Sequence, residues 1–130
     1  AALPAQEGIP PMQQFNRTAV QPPFMLAFFG AAAACVVLTI DSLSHAEKPL
    51  SAWLALTGSA AYLASFVMTI AFHVPRNDAL ARLNPDAGSS AAPWATFLHE
   101  WTSGNTVRAV LAGAGTVALA GATVLSLLKR

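Results

Sequence analysis

Two short polar stretches carry side chains that ionise or hydrogen-bond at the edges of otherwise apolar sequence. One is His73-Val74-Pro75-Arg76-Asn77-Asp78. The other is Trp101-Thr102-Ser103-Gly104-Asn105-Thr106-Val107-Arg108, and Asn16-Arg17 adds a third group. Ionisable groups at a membrane boundary are expensive unless paired, so an inward-facing set of them is a functional-site hypothesis by default. Metal ligation needs three or more donors in suitable geometry. His73, His99 and Asp78 share one side of the spans and could in principle meet, but they lack HxxxH, HxH or ExxH spacing, so no metal is expected. Cys35 is the single cysteine, which excludes an intrachain disulfide and a cysteine zinc cluster. The chain has no dinucleotide fingerprint, P-loop or nucleophile elbow.

Each of these residues also has a plain structural reading. Asn105 suits the N-cap of a following helix, and Gly104 the end of a preceding one. Asp78 suits a cap of a short helix over 79–83, or a partner for Arg76 or Arg82. His73 suits a hydrogen-bonding helix end. Arg108 either snorkels to the interface or makes a planar, two-pronged pair with Asp78 or Glu100.

The elements that must hold these groups are legible from where charge is missing. Residues 18–40, 49–75 and 109–128 contain no Asp, Glu, Lys or Arg. A helix rises about 1.5 Å per residue, so about 20 apolar residues cross a hydrocarbon core of about 30 Å. Three spans follow, at about 24–40, 51–72 and 107–128, with Pro22-Pro23 setting the start of the first. The whole chain of 130 residues is 55% hydrophobic and only 10% charged, too apolar to solvate its own surface. We therefore expect one domain over 1–130, an all-α integral membrane helical bundle with membrane lipid as its surroundings. Seven basic and six acidic residues nearly cancel, leaving no cationic stripe for nucleic acid.

Three spans put 1–23 and 73–106 on one side, and 41–50 with the C-terminus on the other. Arg17, Arg76, Arg82 and Arg108 face Lys48, Lys129 and Arg130, which sets no clear orientation. A bacterial inner membrane with a cytoplasmic C-terminus is the expectation. In the longer loop, Trp94, Phe97, Leu98 and Trp101 recur on one helical face. This predicts an amphipathic helix over about 91–103, started by Ser90, either lying at the headgroups or packed over the mouth of the bundle. Gly30, Gly58, Gly113, Gly115 and Gly121, with Ala114, Ala118 and Ala122, provide faces for close helix packing, within the bundle or between copies.

The run Val74-Pro-Arg-Asn-Asp-Ala-Leu-Ala-Arg-Leu83, with Trp101-Thr-Ser-Gly-Asn-Thr-Val-Arg108, resembles the anthrone oxygenase-like family of small membrane proteins. Gln13-Gln-Phe-Asn-Arg17 and Pro22-Pro-Phe-Met-Leu-Ala-Phe-Phe-Gly30 resemble that family's segment before its second span. The resemblance covers roughly 10–128 and carries over Asn16, Arg17, Pro75, Asn77, Trp101, Asn105 and Arg108. It departs at Thr106, where the family often has histidine, and at His73, where asparagine is common. The family is a four-helix bundle, which implies that its first span would precede Ala1, with Ala1–Gly8 as the trailing end. The fourth helix would then come from upstream sequence or a neighbouring chain.

The resemblance implies oxidation of a flat aromatic or quinol-like substrate by O₂, with no cofactor. His73 or Asp78 would be the base, and Arg108 and Asn105 would hold the enolate oxygen. Asn16, Arg17, Asn77, Trp94, Phe97 and Trp101 would bind the substrate, a hydrophobic aromatic or a quinone, with Phe72 completing the apolar wall. A different class of role is a non-catalytic accessory subunit of a larger membrane complex, or a homo-oligomer. An accessible cavity at the level of 73–78 and 101–108 separates the two.

Overall fold

The computed structural model describes residues 3–44 and 49–128. They form α1 (Ala5–Ala19), α2 (Pro22–Ser44), α3 (Leu50–Met68), one π turn (Thr69–His73), α4 (Val74–Ala81), a 3₁₀ turn (Gly88–Ser90) and α5 (Ala91–Leu127). No strand occurs among the described residues. Pro22-Pro23 opens α2 and Pro49 precedes α3, where a missing N–H and a fixed φ do no harm. Three helical runs are long and apolar enough to cross a membrane: Pro22–Ser44, Leu50–Ala81 and Gly88–Leu127. The protein is an all-α membrane-spanning bundle. Lys48, Lys129 and Arg130, on which the expected orientation partly rests, lie outside the described residues, as do Ala1, Ala2 and His45.

Within the spans α3 is central, packing α2 on one side and α5 on another. Small residues decide how close α3 and α5 come. A Cβ at Gly115 would lie 2.9 Å from the Gly58 carbonyl oxygen, and one at Gly58 would lie 3.0 Å from that of Gly115. The two backbones touch at that pair, and dispersion over a close contact drives pairing where lipid offers no hydrophobic gain. Gly30 and Gly113 have no neighbouring atoms within 4 Å of such a Cβ, so those parts of the small-residue faces are open in the single chain.

Beyond the spans, α1, α4 and the first turns of α5 build a second core. Ile9 and Leu80 are fully buried there with Trp94 and Phe97, and Met12, Leu83, Leu98 and Trp101 pack around them. Trp94 and Phe97 stack at 5.7 Å, and the Trp94 indole N–H donates to the Leu3 carbonyl at 2.8 Å. Gln13 Nε2 donates to the carbonyls of Leu80 and Leu83 at 3.0 and 3.1 Å, covering acceptors that the end of α4 leaves open.

The helix expected over 91–103 is present and its aromatics do share a face, but it is not a separate element along the membrane surface. It continues unbroken through Gly104 and Asn105 into the third span, about 55 Å in all at 1.5 Å per residue. Its aromatic face is covered by α1 and α4, the packed alternative. Gly104 therefore ends no helix and Asn105 caps none. A lone glycine weakens a helix by only about 1 kcal/mol, and here it makes room: a Cβ on Gly104 would overlap the Phe72 ring. Ser90 precedes α5 without a side-chain cap; its Oγ donates to the Asn84 carbonyl at 2.7 Å.

Candidate functional site

Proline creates the local structure on which the site is built. Pro75 has no N–H for the carbonyl four residues back, and its ring would collide with that carbonyl in a regular helix. The chain answers with the π turn, where the Val74 N–H donates to the Thr69 carbonyl five residues back. Single π turns inside α-helices are frequent at functional sites. His73 is the last residue of this one and only 3% exposed.

α4 and α5 run antiparallel. Phe72 lies opposite Gly104, Arg76 opposite Glu100, and Leu80 packs with Phe97. α1 advances alongside α5: Leu3 meets Trp94, while Met12 and Phe15 reach the Leu98 level. That register puts Asn16 about one helical turn beyond Gln13, which meets Leu80 and Leu83, and leaves Asn77 one turn from His73. The His73 ring meets Trp101 edge-on at 5.6 Å and Phe72 at 5.3 Å.

Over these turns of α1, α4 and α5 several buried polar atoms lack a partner. Nδ2 of Asn16, Oδ1 of Asn77 and Nε1 of Trp101 are buried without a partner, and both ring nitrogens of His73 lack a hydrogen bond of good geometry, with the Gly104 backbone as the polar group that interacts with the ring. Among the described residues the other such atom is Ser59 Oγ. Each orphan costs about 1–3 kcal/mol relative to a paired group, and native proteins rarely keep several together without a use for them. The set offers two donors, one acceptor and an imidazole that supplies either.

The remaining nominated residues divide. Arg108 is half-buried, and its Nε and Nη2 donate to Asn105 Oδ1 at 3.2 and 2.6 Å. The expected pairing of Arg108 with Asp78 or Glu100 is not found. Glu100 is taken by Arg76, Nε to Oε2 at 2.8 Å. Asp78 stands about ten residues of helix away by the register of Phe72 on Gly104, or about 15 Å. Asp78 is exposed and joins no ion pair among the described residues. Arg17 is exposed as well, held by Gln14 Oε1 at 3.3 and 3.0 Å from its own helix. Trp94 and Phe97 are committed to the core. No three His, Cys, Asp or Glu side chains among the described residues gather as a metal site would require.

Sequence reasoning left Arg76, Glu100 and Gly104 outside the site. Their roles depend on the α4–α5 register, which a one-chain pattern does not reveal. A groove of about 450 Å³ opens between α4 and α5, walled by Leu80, Leu83, Pro93 and Phe97 and by Arg76 and Glu100.

A family model described as anthrone oxygenase matches residues 15–118, most of the chain. The chain belongs to the anthrone oxygenase family. Its matched range takes in Asn16, His73, Asn77, Trp101, Asn105 and Arg108, and leaves out the first two thirds of α1, Ile9 included. With three candidate spans, membership makes it an integral membrane protein of that family. No curated protein and no solved structure matches it.

Proposed function

We propose that this anthrone oxygenase family member oxidises a flat, hydroxylated aromatic ketone of the anthrone type with O₂ at the polar end of the bundle, with His73 as base. The observation that carries the reading is the group of unpartnered buried atoms on Asn16, His73, Asn77 and Trp101. A buried neutral imidazole is a competent base for an acidic carbon. His73 takes one proton from the methylene between the two rings, and the substrate becomes an enolate. The enolate passes electrons to O₂ and a carbon–oxygen bond forms. The resulting peroxide takes the first proton back from His73; loss of the second proton from that carbon then breaks the O–O bond and expels hydroxide, which leaves with that proton as water, so that substrate plus O₂ gives quinone plus water. Trp101 Nε1–H and Asn16 Nδ2–H are free to donate to the oxygen that gains charge, and donors fixed in advance of the reaction are the effective kind. Asn77 Oδ1 accepts from a substrate hydroxyl. Arg108, held by Asn105, adds positive charge to the same end. The groove walled by Leu80, Pro93 and Phe97 reaches Arg76 and Glu100 and is lined by none of the four unpartnered residues, so the rings must enter by a parting of α4 from α5.

The test uses the full chain in lipid nanodiscs with anthrone itself as probe. Anthraquinone formation and O₂ uptake are followed and the enzyme-free rate is subtracted. His73→Gln is expected to lower turnover about 100-fold or more while the helical circular dichroism stays unchanged. Turnover by His73→Gln at the wild-type rate would refute the assignment of the base. No turnover by the wild-type protein would refute the activity.

A further inference from the structure

The Arg76–Glu100 pair is more than a surface ion pair. Its side chains are 30% and 44% exposed, and pairs of that kind contribute little to folding. Yet Arg76 is held on three sides. Nε donates to Glu100 Oε2 at 2.8 Å, Nη1 donates to the Phe72 carbonyl at 3.0 Å, and the guanidinium carbon stands 3.5 Å above the centre of the Phe72 ring. Phe72 belongs to the π turn, and its ring fills the space that Gly104 leaves free on α5. His73 is the next residue, its ring edge-on to Phe72 and Trp101. Glu100, Arg76, Phe72 and Gly104 thus form a continuous clamp from α5 across to the one turn of the second span that departs from α-helical geometry.

We propose that Arg76, held by Glu100, is a positioning residue: it fixes the π turn and with it the direction of the His73 ring. The proposal rests on His73 being the base. A planar, forked cation is needed for the task, because lysine keeps the charge but cannot stack on Phe72 and reach both acceptors together. The reacting atoms would be untouched by its replacement. What changes is the fraction of time that the imidazole points correctly, and displacements of about 1 Å can cost up to about 100-fold in rate.

The variants are Arg76→Lys and Glu100→Gln, with Arg82→Lys as the control, an exposed arginine at the end of α4. All are prepared as the full chain in nanodiscs and assayed with anthrone under O₂. Arg76→Lys is expected to lower kcat about tenfold and to leave KM within about twofold. Glu100→Gln should lower kcat by a smaller factor, and Arg82→Lys should match wild type. His73→Gln with Arg76→Lys should be no slower than His73→Gln alone, since a residue acting through His73 has nothing left to act on. In parallel, NMR of ¹⁵N,¹³C-histidine protein should show the His73 ring resonances shifted, and their cross-peaks to the Trp101 indole weakened, in Arg76→Lys but not in Arg82→Lys. A KM increase at constant kcat would make the pair a wall of the groove and overturn the proposal. Equal losses with and without His73, or an unmoved His73 spectrum in both Arg76→Lys and Glu100→Gln, would also overturn it. Should wild type leave anthrone untouched, the proposed activity falls, and the NMR comparison alone decides the positioning role.

Discussion

A single methyl group at Gly115 should separate the two best-packed spans. Built on the backbone, its Cβ stands 2.9 Å from the Gly58 carbonyl oxygen and 3.2 Å from the Tyr62 amide nitrogen. Both are backbone atoms of α3, so no side-chain rotation relieves the overlap. Ordinary contact begins near 3.5 Å, and α3 and α5 must part by several tenths of an ångström along their whole contact. Overpacking of this kind costs about 1–3 kcal/mol, against a gain of at most about 1 kcal/mol from exchanging glycine for alanine in a helix. The net expectation for Gly115→Ala is a loss of up to about 2 kcal/mol, and of about 1–3 kcal/mol relative to the same exchange at an uncrowded glycine. Gly113→Ala is the internal control: same helix, same substitution, two residues away, with nothing within 4 Å of the new Cβ. It should be neutral or slightly stabilising. Reversible unfolding of both variants by denaturing detergent, followed by circular dichroism, gives the difference directly. Equal stabilities for Gly113→Ala and Gly115→Ala would show that the Gly58–Gly115 contact does not limit the approach of α3 and α5.

Two further outcomes are expected. Trp94→Phe keeps a ring against Ile9 and Phe97 but loses the 2.8 Å hydrogen bond to the Leu3 carbonyl; stability should fall by about 1–2 kcal/mol, and hydrogen exchange should show amide protection in α1 falling before that in α3. Arg108→Lys cannot reproduce the paired contacts at 3.2 and 2.6 Å to Asn105; turnover of anthrone should drop about tenfold with the melting temperature nearly unchanged, and wild-type turnover would reduce Arg108 to an interfacial anchor.

The spans were legible because the bilayer imposes a condition on composition alone: charge is missing for the length of a helix that crosses it. Nothing about partners enters that argument, so 18–40, 49–75 and 109–128 already mark α2, α3 and the inner part of α5. The aromatic stripe over 94–101 was legible for the same reason, since a period of 3.6 needs one helix only. The error lay at Gly104-Asn105. Taken as local signals they spell a helix end and a new cap, whereas the structure keeps the helix running, because the Phe72 ring of another element occupies the space above Gly104. Local propensity at a glycine is worth about 1 kcal/mol, and a buried aromatic contact outweighs it.

The same distinction explains which nominated residues belong together. Asn16, His73, Asn77 and Trp101 are polar or amphipathic residues near one end of the spans, and that end follows from counting along the sequence. Which atoms remain unpaired there depends on angles around each helix, and those are set by contacts between elements. The π turn matters most here. In a regular helix each residue advances about 100°; the extra residue taken up before Pro75 changes the angle at which His73 leaves the second span relative to Phe66 or Tyr62. Proline at 75 therefore does more than end a span: it re-aims one imidazole at Trp101. The physical content of the motif Val74-Pro75-Arg76-Asn77 is then a division of labour. Pro75 makes the turn, Arg76 holds it, and Asn77 stands one helical turn beyond His73 on the same side of the element. An Asp78 placed next in line gains nothing from that geometry, which is why a carboxylate that looked equal to His73 in sequence stays outside the site.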